Sequence, residues 1–197
     1  MNSLELNNTN KTILSTKDIA DLLSIRKESA KVTAARYIRK GLLIRLKRDY
    51  YITPGSFEKL KEKDFFMLAN ILQVPSYISL TSALSYYNIS TQQLRNVVES
   101  VAVKRTKNVK IKNIEFTFTL IKKLFYFGFE LQDNIFIALP EKALADAIYL
   151  TSLGKYNCDF DAVNFNKINK KKVNGYIRLT NKRTKLFWED LRKTYKI

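Results

Sequence analysis

STKDIADLLSIRKESAKVTAARYIRKGLLIRLKRDYYITP, residues 15–54, parses as a helix, a tight turn, a second helix and a two-stranded basic wing. Ser15 and Thr16 each carry a side-chain oxygen that can accept an otherwise unpaired N–H at a helix start. Ile19, Ala20, Leu22 and Leu23 follow and give a short helix one apolar face. Ser24-Ile25-Arg26 breaks that pattern, with Ile25 as the apolar plug of a turn. The second helix is predicted from about Lys27 to Lys40, packing through Ala30, Ala34, Tyr37 and Ile38. Gly41 closes it, because glycine accepts the left-handed backbone that ends many helices. Its outer face then keeps Lys27, Lys31, Val32, Ala35, Arg36 and Lys40. An apolar stripe behind a basic outer face is how a major-groove recognition helix is made.

Leu42-Leu43-Ile44 and Tyr50-Tyr51-Ile52 have the aliphatic and aromatic bias of strands, and Arg45-Leu46-Lys47-Arg48-Asp49 forms a charged tip between them. Basic side chains on such a tip reach phosphate or a minor groove. Phosphate neutralisation is assigned to Lys17, Lys27, Arg45, Lys47 and Arg48. Groove-edge contacts are assigned to Arg26, Lys31, Val32 and Arg36, since arginine and lysine suit guanine and valine suits a thymine methyl. The same order of elements also serves as a protein-docking module, so it is more specific for the fold than for DNA.

The whole chain has 197 residues, 46% of them hydrophobic, enough for a buried core. Its net charge is +17 and its pI is near 9.9, which points to a polyanionic partner. Lysine dominates that charge, 25 against 10 arginines, so part of it reflects composition alone. Its distribution says more: residues 1–54 carry +6, residues 55–154 only +3, and residues 155–197 carry +8. Both ends are basic around a nearly balanced middle. No apolar run is long enough to span a bilayer, the first fifteen residues lack a secretion pattern, and Cys158 stands alone. These features predict a cytoplasmic protein with no membrane partner.

Pro54-Gly55-Ser56 is the first hinge signal and divides the chain into residues 1–54 and 55–197. A helix is predicted from Ser56 to about Gln73, a short strand at Tyr77-Ile78, and a helix from Thr81 to Tyr87. Strand bias follows at Val97–Val103, Ile111–Phe118 and Ile135–Leu139, and Leu124–Phe129 is so aromatic that it reads as a core strand. Pro140 fits the first turn of a helix running to Ser152. Lys185–Tyr195 reads as a last helix. Up to its start, Lys170, Lys171, Lys172, Arg178, Lys182, Arg183 and Lys185 place seven cations with no acid between them, a candidate second basic surface. Asn174-Gly175 reads as a turn pair that would fold Lys170–Lys172 toward Arg183.

Catalytic signals are sparse. The chain has no histidine and one cysteine, which excludes imidazole acid–base chemistry, Ser-His-Asp triads and Cys/His metal sites. No Gly-rich phosphate loop is present. Asp159-x-Asp161 is a weak carboxylate pair, and Ser79, Thr81 and Ser82 read as helix-capping residues without a base. The expectation is a non-enzyme that requires no metal and no cofactor.

Three blocks taken together resemble a family. The basic wing ending Tyr51-x-x-Pro54, then Tyr77-Ile78-Ser79-x-x-Ser82-Ala83-Leu84, then Pro140-Glu141-Lys142-Ala143-Leu144-x-Asp146, resemble the antitoxins of AbiE-type abortive-infection, or type IV, toxin–antitoxin systems. The blocks span about residues 15–150 in the family's order. The wing departs from the family's usual Arg-Gly-x-Tyr, having Arg48-Asp49-Tyr50-Tyr51. The resemblance implies an α+β protein: an N-terminal winged helix-turn-helix domain followed by a mixed α/β antitoxin domain, with the basic tail after Gly154 outside the resemblance. It also implies double-stranded promoter DNA, with inverted repeats, as one partner, and autorepression as the consequence. A nucleotidyltransferase toxin would be the functional partner, countered without an assumed stable complex. The alternative is a stand-alone winged-helix regulator, or an interaction module with no toxin.

Overall fold

The structure is a computed structural model describing residues 11–197, so most of the N-terminal stretch read as lacking a secretion pattern lies outside the described residues. The architecture is mixed α+β. It divides into two compact units, one through Asp64 and one from Phe65 to Ile197.

The first unit opens with β1 (Leu14–Ser15) and α1 (Thr16–Leu22). Ser15 and Asp18 form a reciprocal cap: Ser15 Oγ accepts the Asp18 N–H at 3.1 Å, and Asp18 Oδ2 accepts the Ser15 N–H at 2.7 Å. Partial burial pushes the Asp18 carboxyl up, but hydrogen bonds from Lys11 and Ser15 outweigh it and hold the group down at about 2. Helix α2 (Lys27–Arg39) follows. Ile19, Ala20, Ala30, Ala34, Tyr37, Leu43 and Tyr51 form the core with Leu14, and Ile25 packs against them as the turn's plug. Leu22, expected on the apolar face, is 37% exposed. The chain then forms the hairpin of β2 (Ile44–Lys47) and β3 (Tyr50–Ile52), and β1 adds to β3. The charged tip is shorter than the sequence suggests. Arg45 and Lys47 pair within the strands, Leu46 is the extra residue of a register slip and is buried, and only Arg48 and Asp49 turn.

The boundary expected after Pro54 is displaced because the chain starts another helix there. Thr53, not Ser56, supplies the cap: its Oγ1 accepts the Ser56 N–H at 3.2 Å and begins α3 (Pro54–Glu58), whose Phe57 is buried. The long helix predicted to Gln73 is broken. Asp64 Oδ2 accepts the Lys61 N–H at 2.8 Å and starts α4 (Glu62–Leu72) afresh.

The second unit is built on a six-stranded mixed sheet in the order β6-β7-β5-β4-β9-β8. Its strands are β4 (Ser76–Ile78), β5 (Val97–Ala102), β6 (Lys107–Ile111), β7 (Ile114–Leu120), β8 (Phe129–Gln132) and β9 (Ile135–Ala138). β4 runs parallel to β9, and β5 parallel to β7, while the outer hairpins β6–β7 and β8–β9 are antiparallel. Helix α5 (Leu80–Tyr86) packs on α6 (Pro140–Ser152), and α6 in turn carries α7 (Lys170–Arg178) and α8 (Lys182–Tyr195). Every residue of α6 from Glu141 to Leu150 is buried.

Two further expectations fail for identifiable reasons. The aromatic run 124–129 is not a core strand: residues 123–125 form a 3₁₀ turn, Leu124 is 71% exposed, and Gly128 at φ +72° delays the strand to Phe129. Its rings seek different partners, Phe125 against Tyr149 at 4.8 Å, Phe127 against Tyr176 at 5.6 Å and Phe129 stacked on Tyr77 at 4.5 Å. Asn174-Gly175 is likewise no turn but the middle of α7, where Asn174 Oδ1 accepts the Trp188 Nε1–H and Val173 and Ile177 are buried. The helix is continuous through this pair, so a rise of about 1.5 Å per residue puts Lys170 and Arg178 ~12 Å apart at its two ends, and no turn at Asn174-Gly175 folds the lysines back.

Candidate nucleic-acid interface

Helix α2 exposes Lys27, Lys31, Val32 and Arg36 and buries Ala30, Thr33, Ala34 and Tyr37. At about 100° per residue, Ala35, Glu28 and Arg39 centre the exposed face, with Val32 beside them. Lys31 and Arg36 flank it, about 70° to either side, and Lys27 lies at its margin. Val32 is 61% exposed. Arg36 donates from Nη2 to Thr33 Oγ1 at 3.1 Å, which steers its guanidinium toward the rim of the face. Glu28 and Arg39 were not among the assigned contacts, although projecting the sequence on a helix would have placed both at the centre.

Arg26 is exposed at the N-cap position of α2 and makes no side-chain cap. Lys17 is exposed on α1. On the hairpin, Arg45 is exposed, Arg48 reaches Asp49 at 3.7 Å, and Lys47 lies over the Tyr50 ring at 4.7 Å. Asp49 takes the left-handed backbone, φ +64°. The nine assigned residues of this unit thus fall on α1, α2 and the hairpin, and all but half-buried Lys47 are exposed.

Most of the second basic group sits at helix starts. Lys170, Lys171 and Lys172 are the first three residues of α7, and Lys182 and Arg183 the first two of α8, with Lys185 in the same turn. All are solvent-accessible, Lys170 being half-buried, and Arg178 closes α7. Cations at a helix N-terminus oppose the macrodipole and cost roughly 0.3–1 kcal/mol each. Asn169 and Asn181 cap the two helices through their side-chain oxygens, which offsets part of that cost. At the start of α8, Lys182, Arg183, Leu186 and Phe187 line an open cavity of about 520 Å³ with Thr151, Ser152 and Asp190.

Beneath that surface, the polar members of the two sequence blocks meet. Lys142 and Asp146 form an ion pair with each side chain 3% exposed. Lys142 Nζ donates to Tyr77 Oη at 2.8 Å, and Tyr77 Oη and Ser79 Oγ each donate to Asp146 Oδ2 at 2.9 Å. Burial, then the Asp146 charge, raises the Tyr77 hydroxyl well above its ordinary range. A β-carbon on Gly128 would stand 3.0 Å from Lys142 Cγ, so that strand start is also shaped by the buried lysine. Ser79 therefore holds the N-cap position of α5 but makes no side-chain cap, and neither Thr81 nor Ser82 caps the helix. Thr81 Oγ1 shares a hydrogen bond with Tyr156 Oη at 2.7 Å, and Ser82 Oγ accepts the Glu99 N–H at 2.9 Å. The cap of α5 comes from Glu99 on β5, whose Oε2 accepts the Ser82 N–H at 3.3 Å and the Tyr156 hydroxyl at 3.1 Å. Burial pushes the Glu99 carboxyl up to about 7, against the lowering effect of those bonds.

The weak carboxylate pair is engaged in local structure. Asp161 Oδ1 accepts the Tyr195 hydroxyl at 2.6 Å, and Asp159 Oδ1 accepts the Asp161 N–H at 3.2 Å. Among the described residues no group of three or more acidic or thiol side chains is arranged to hold a metal ion. No helix among them is long and apolar enough to cross a membrane.

Comparison with solved structures finds a similar fold in the Rv2827c protein of Mycobacterium tuberculosis, with a TM-score of 0.59 over 92% of this chain and 71% of that one. Sequence identity is 11%, so the likeness bears on fold alone. No protein-family model matches the chain, and no curated protein does.

Proposed function

We propose that the chain is the antitoxin of a type IV, AbiE-like toxin–antitoxin pair. Its first unit is a winged helix-turn-helix that binds inverted repeats in promoter DNA and represses its own operon. Its second unit counters a nucleotidyltransferase toxin. The observation that carries the DNA-binding half is α2, which buries one face completely and offers Lys31, Val32, Ala35 and Arg39 on the other. That mix suits a major groove: cations for guanine and phosphate, an isolated methyl-bearing side chain for thymine. Glu28 on the same face adds an acceptor suited to cytosine N4.

The cations at the starts of α7 and α8 support a second anionic contact, because their placement costs helix stability that a phosphate backbone would return. The resemblance in the Tyr77–Leu84 and Pro140–Asp146 blocks supports the antitoxin half. Tyr77 and Ser79 of the first block and Lys142 and Asp146 of the second converge on one buried cluster, a structural role that does not make them toxin contacts.

Co-expression with the nucleotidyltransferase encoded beside it tests the reading. Growth should be restored when the chain accompanies the toxin and arrested without it. Unchanged arrest in the presence of folded chain would leave a stand-alone regulator.

A further inference from the structure

We infer that two copies of this chain associate through the outer edge of β8, forming a weak antiparallel dimer. This inference concerns the second unit and stands apart from the DNA-binding and antitoxin reading.

β8 ends the sheet, and no described strand pairs with its outer side. The backbone groups on that side can be identified. β8 and β9 are joined by the two-residue turn Asp133-Asn134, both at positive φ, and close on the pair Gln132 and Ile135. Gly128 O accepts the Leu139 N–H at 2.9 Å, so by alternation Gly128, Glu130 and Gln132 address β9. Phe129 and Leu131 therefore present their N–H and C=O groups outward. An uncovered edge of this kind is a template for another strand.

The side chains suit a second copy. Leu131 sits directly opposite Phe136 on β9, so both share one sheet face, and they are 60% and 44% exposed. With Leu131 facing its own counterpart across a two-fold axis, Glu130 lies opposite Gln132 of the other copy. Like charges are then never apposed, which is the self-complementarity an isologous contact requires. The surrounding charge points the same way. No Lys or Arg occurs from residue 64 to 94 or from 124 to 141 in a chain of net charge +17. Those stretches supply α5, β4, β8, β9 and nearly all of α4. Two strongly cationic copies repel elsewhere, whereas here they meet without apposed cations. The opposite edge, β6, carries Lys107 and Lys110 and is protected by them.

Sedimentation equilibrium of the full chain tests this. The apparent mass should rise from 23.0 kDa toward twice that value as concentration reaches ~100 µM, between the micromolar and millimolar classes of affinity. Leu131→Lys and Phe136→Lys, both at exposed positions, should each raise the dissociation constant at least about tenfold by placing cations at the contact. In the unaltered chain, hydrogen exchange at the Leu131 amide should slow as concentration rises, a readout that needs no variant. A mass fixed at 23.0 kDa throughout, an unprotected Leu131 amide at high concentration, or undiminished association of either folded variant would overturn the inference.

Discussion

Asp49, held in the left-handed conformation at φ +64°, takes two hydrogen bonds from Thr16: the amide onto its carbonyl at 3.0 Å and the hydroxyl onto its carboxylate at 2.9 Å. The hairpin turn is thereby tied to the first residue of α1. This accounts for an aspartate where a glycine would relieve the backbone. The side chain returns through Thr16 what the conformation costs.

Asp49→Ala should lose both terms and destabilise the first unit by about 2 kcal/mol, combining ~1 for the hydrogen bond with ~1 for a non-glycine residue without local compensation. Asp49→Gly should cost less than half as much, since it removes the strain along with the bond. Urea unfolding of both variants decides this. Equal losses would mean that the Thr16 contact contributes nothing.

Lys142→Met should destabilise the second unit by about 3–5 kcal/mol, because Asp146 would be left buried and uncompensated. Adding Asp146→Asn should recover at least half of that loss. Additive losses in the double variant, read from denaturation midpoints, would show that the two groups do not act as a pair.

What the sequence revealed and what it hid follow one division. The first unit is written locally: Ser15 and Asp18 cap, Ile25 plugs, Gly41 stops, and Ala30, Ala34 and Tyr37 keep helical spacing. Where long-range partners decide, local signals mislead. Asn174-Gly175 is a turn pair in isolation, but Trp188 holds Asn174 within a helix. Ser79 and Ser82 look like caps, yet Asp146 and Glu99 lie many residues away in the chain and claim them. The hairpin β6–β7 was half seen, because Lys107–Ile111 alternates lysine with valine and isoleucine too briefly to stand out. The basic face of α2 was legible in its cations, but its centre was not, since Glu28 and Ala35 carry no positive charge.

Glu99 gives the second unit a defined pH response. Its carboxyl rises from 4.5 to about 7 on folding, driven by burial. Between those values the folded chain binds the extra proton, so this group's contribution to stability falls as pH rises from 4.5 to about 7 and stays low above it. The full swing is about 3 kcal/mol at 1.36 kcal/mol per unit. Glu99→Gln, which keeps an acceptor for the Ser82 N–H, should flatten the profile and gain most at pH 8. Urea midpoints for both proteins across that range check it, and parallel profiles would rule the mechanism out.

Replacing Lys170, Lys171 and Lys172 with glutamate should leave α7 folded or slightly firmer, since acids suit a helix start by roughly 0.3–1 kcal/mol each. Loss of promoter affinity in this variant, measured by fluorescence anisotropy, would then report a phosphate contact and not unfolding. Unchanged affinity would make the segment surface alone.

The most direct measurement of the central claim is a titration of promoter duplex against a scrambled duplex across a salt series. Phosphate contacts by about five cations predict a log–log slope near −4 to −5, at ~0.9 per contact. Lys31→Ala and Arg39→Ala should each reduce the preference for promoter DNA by about 1–3 kcal/mol where they meet a base. Lys47→Ala should weaken both duplexes alike. Binding that is flat in salt, or full selectivity with both α2 cations removed, would contradict a DNA-reading role for this helix.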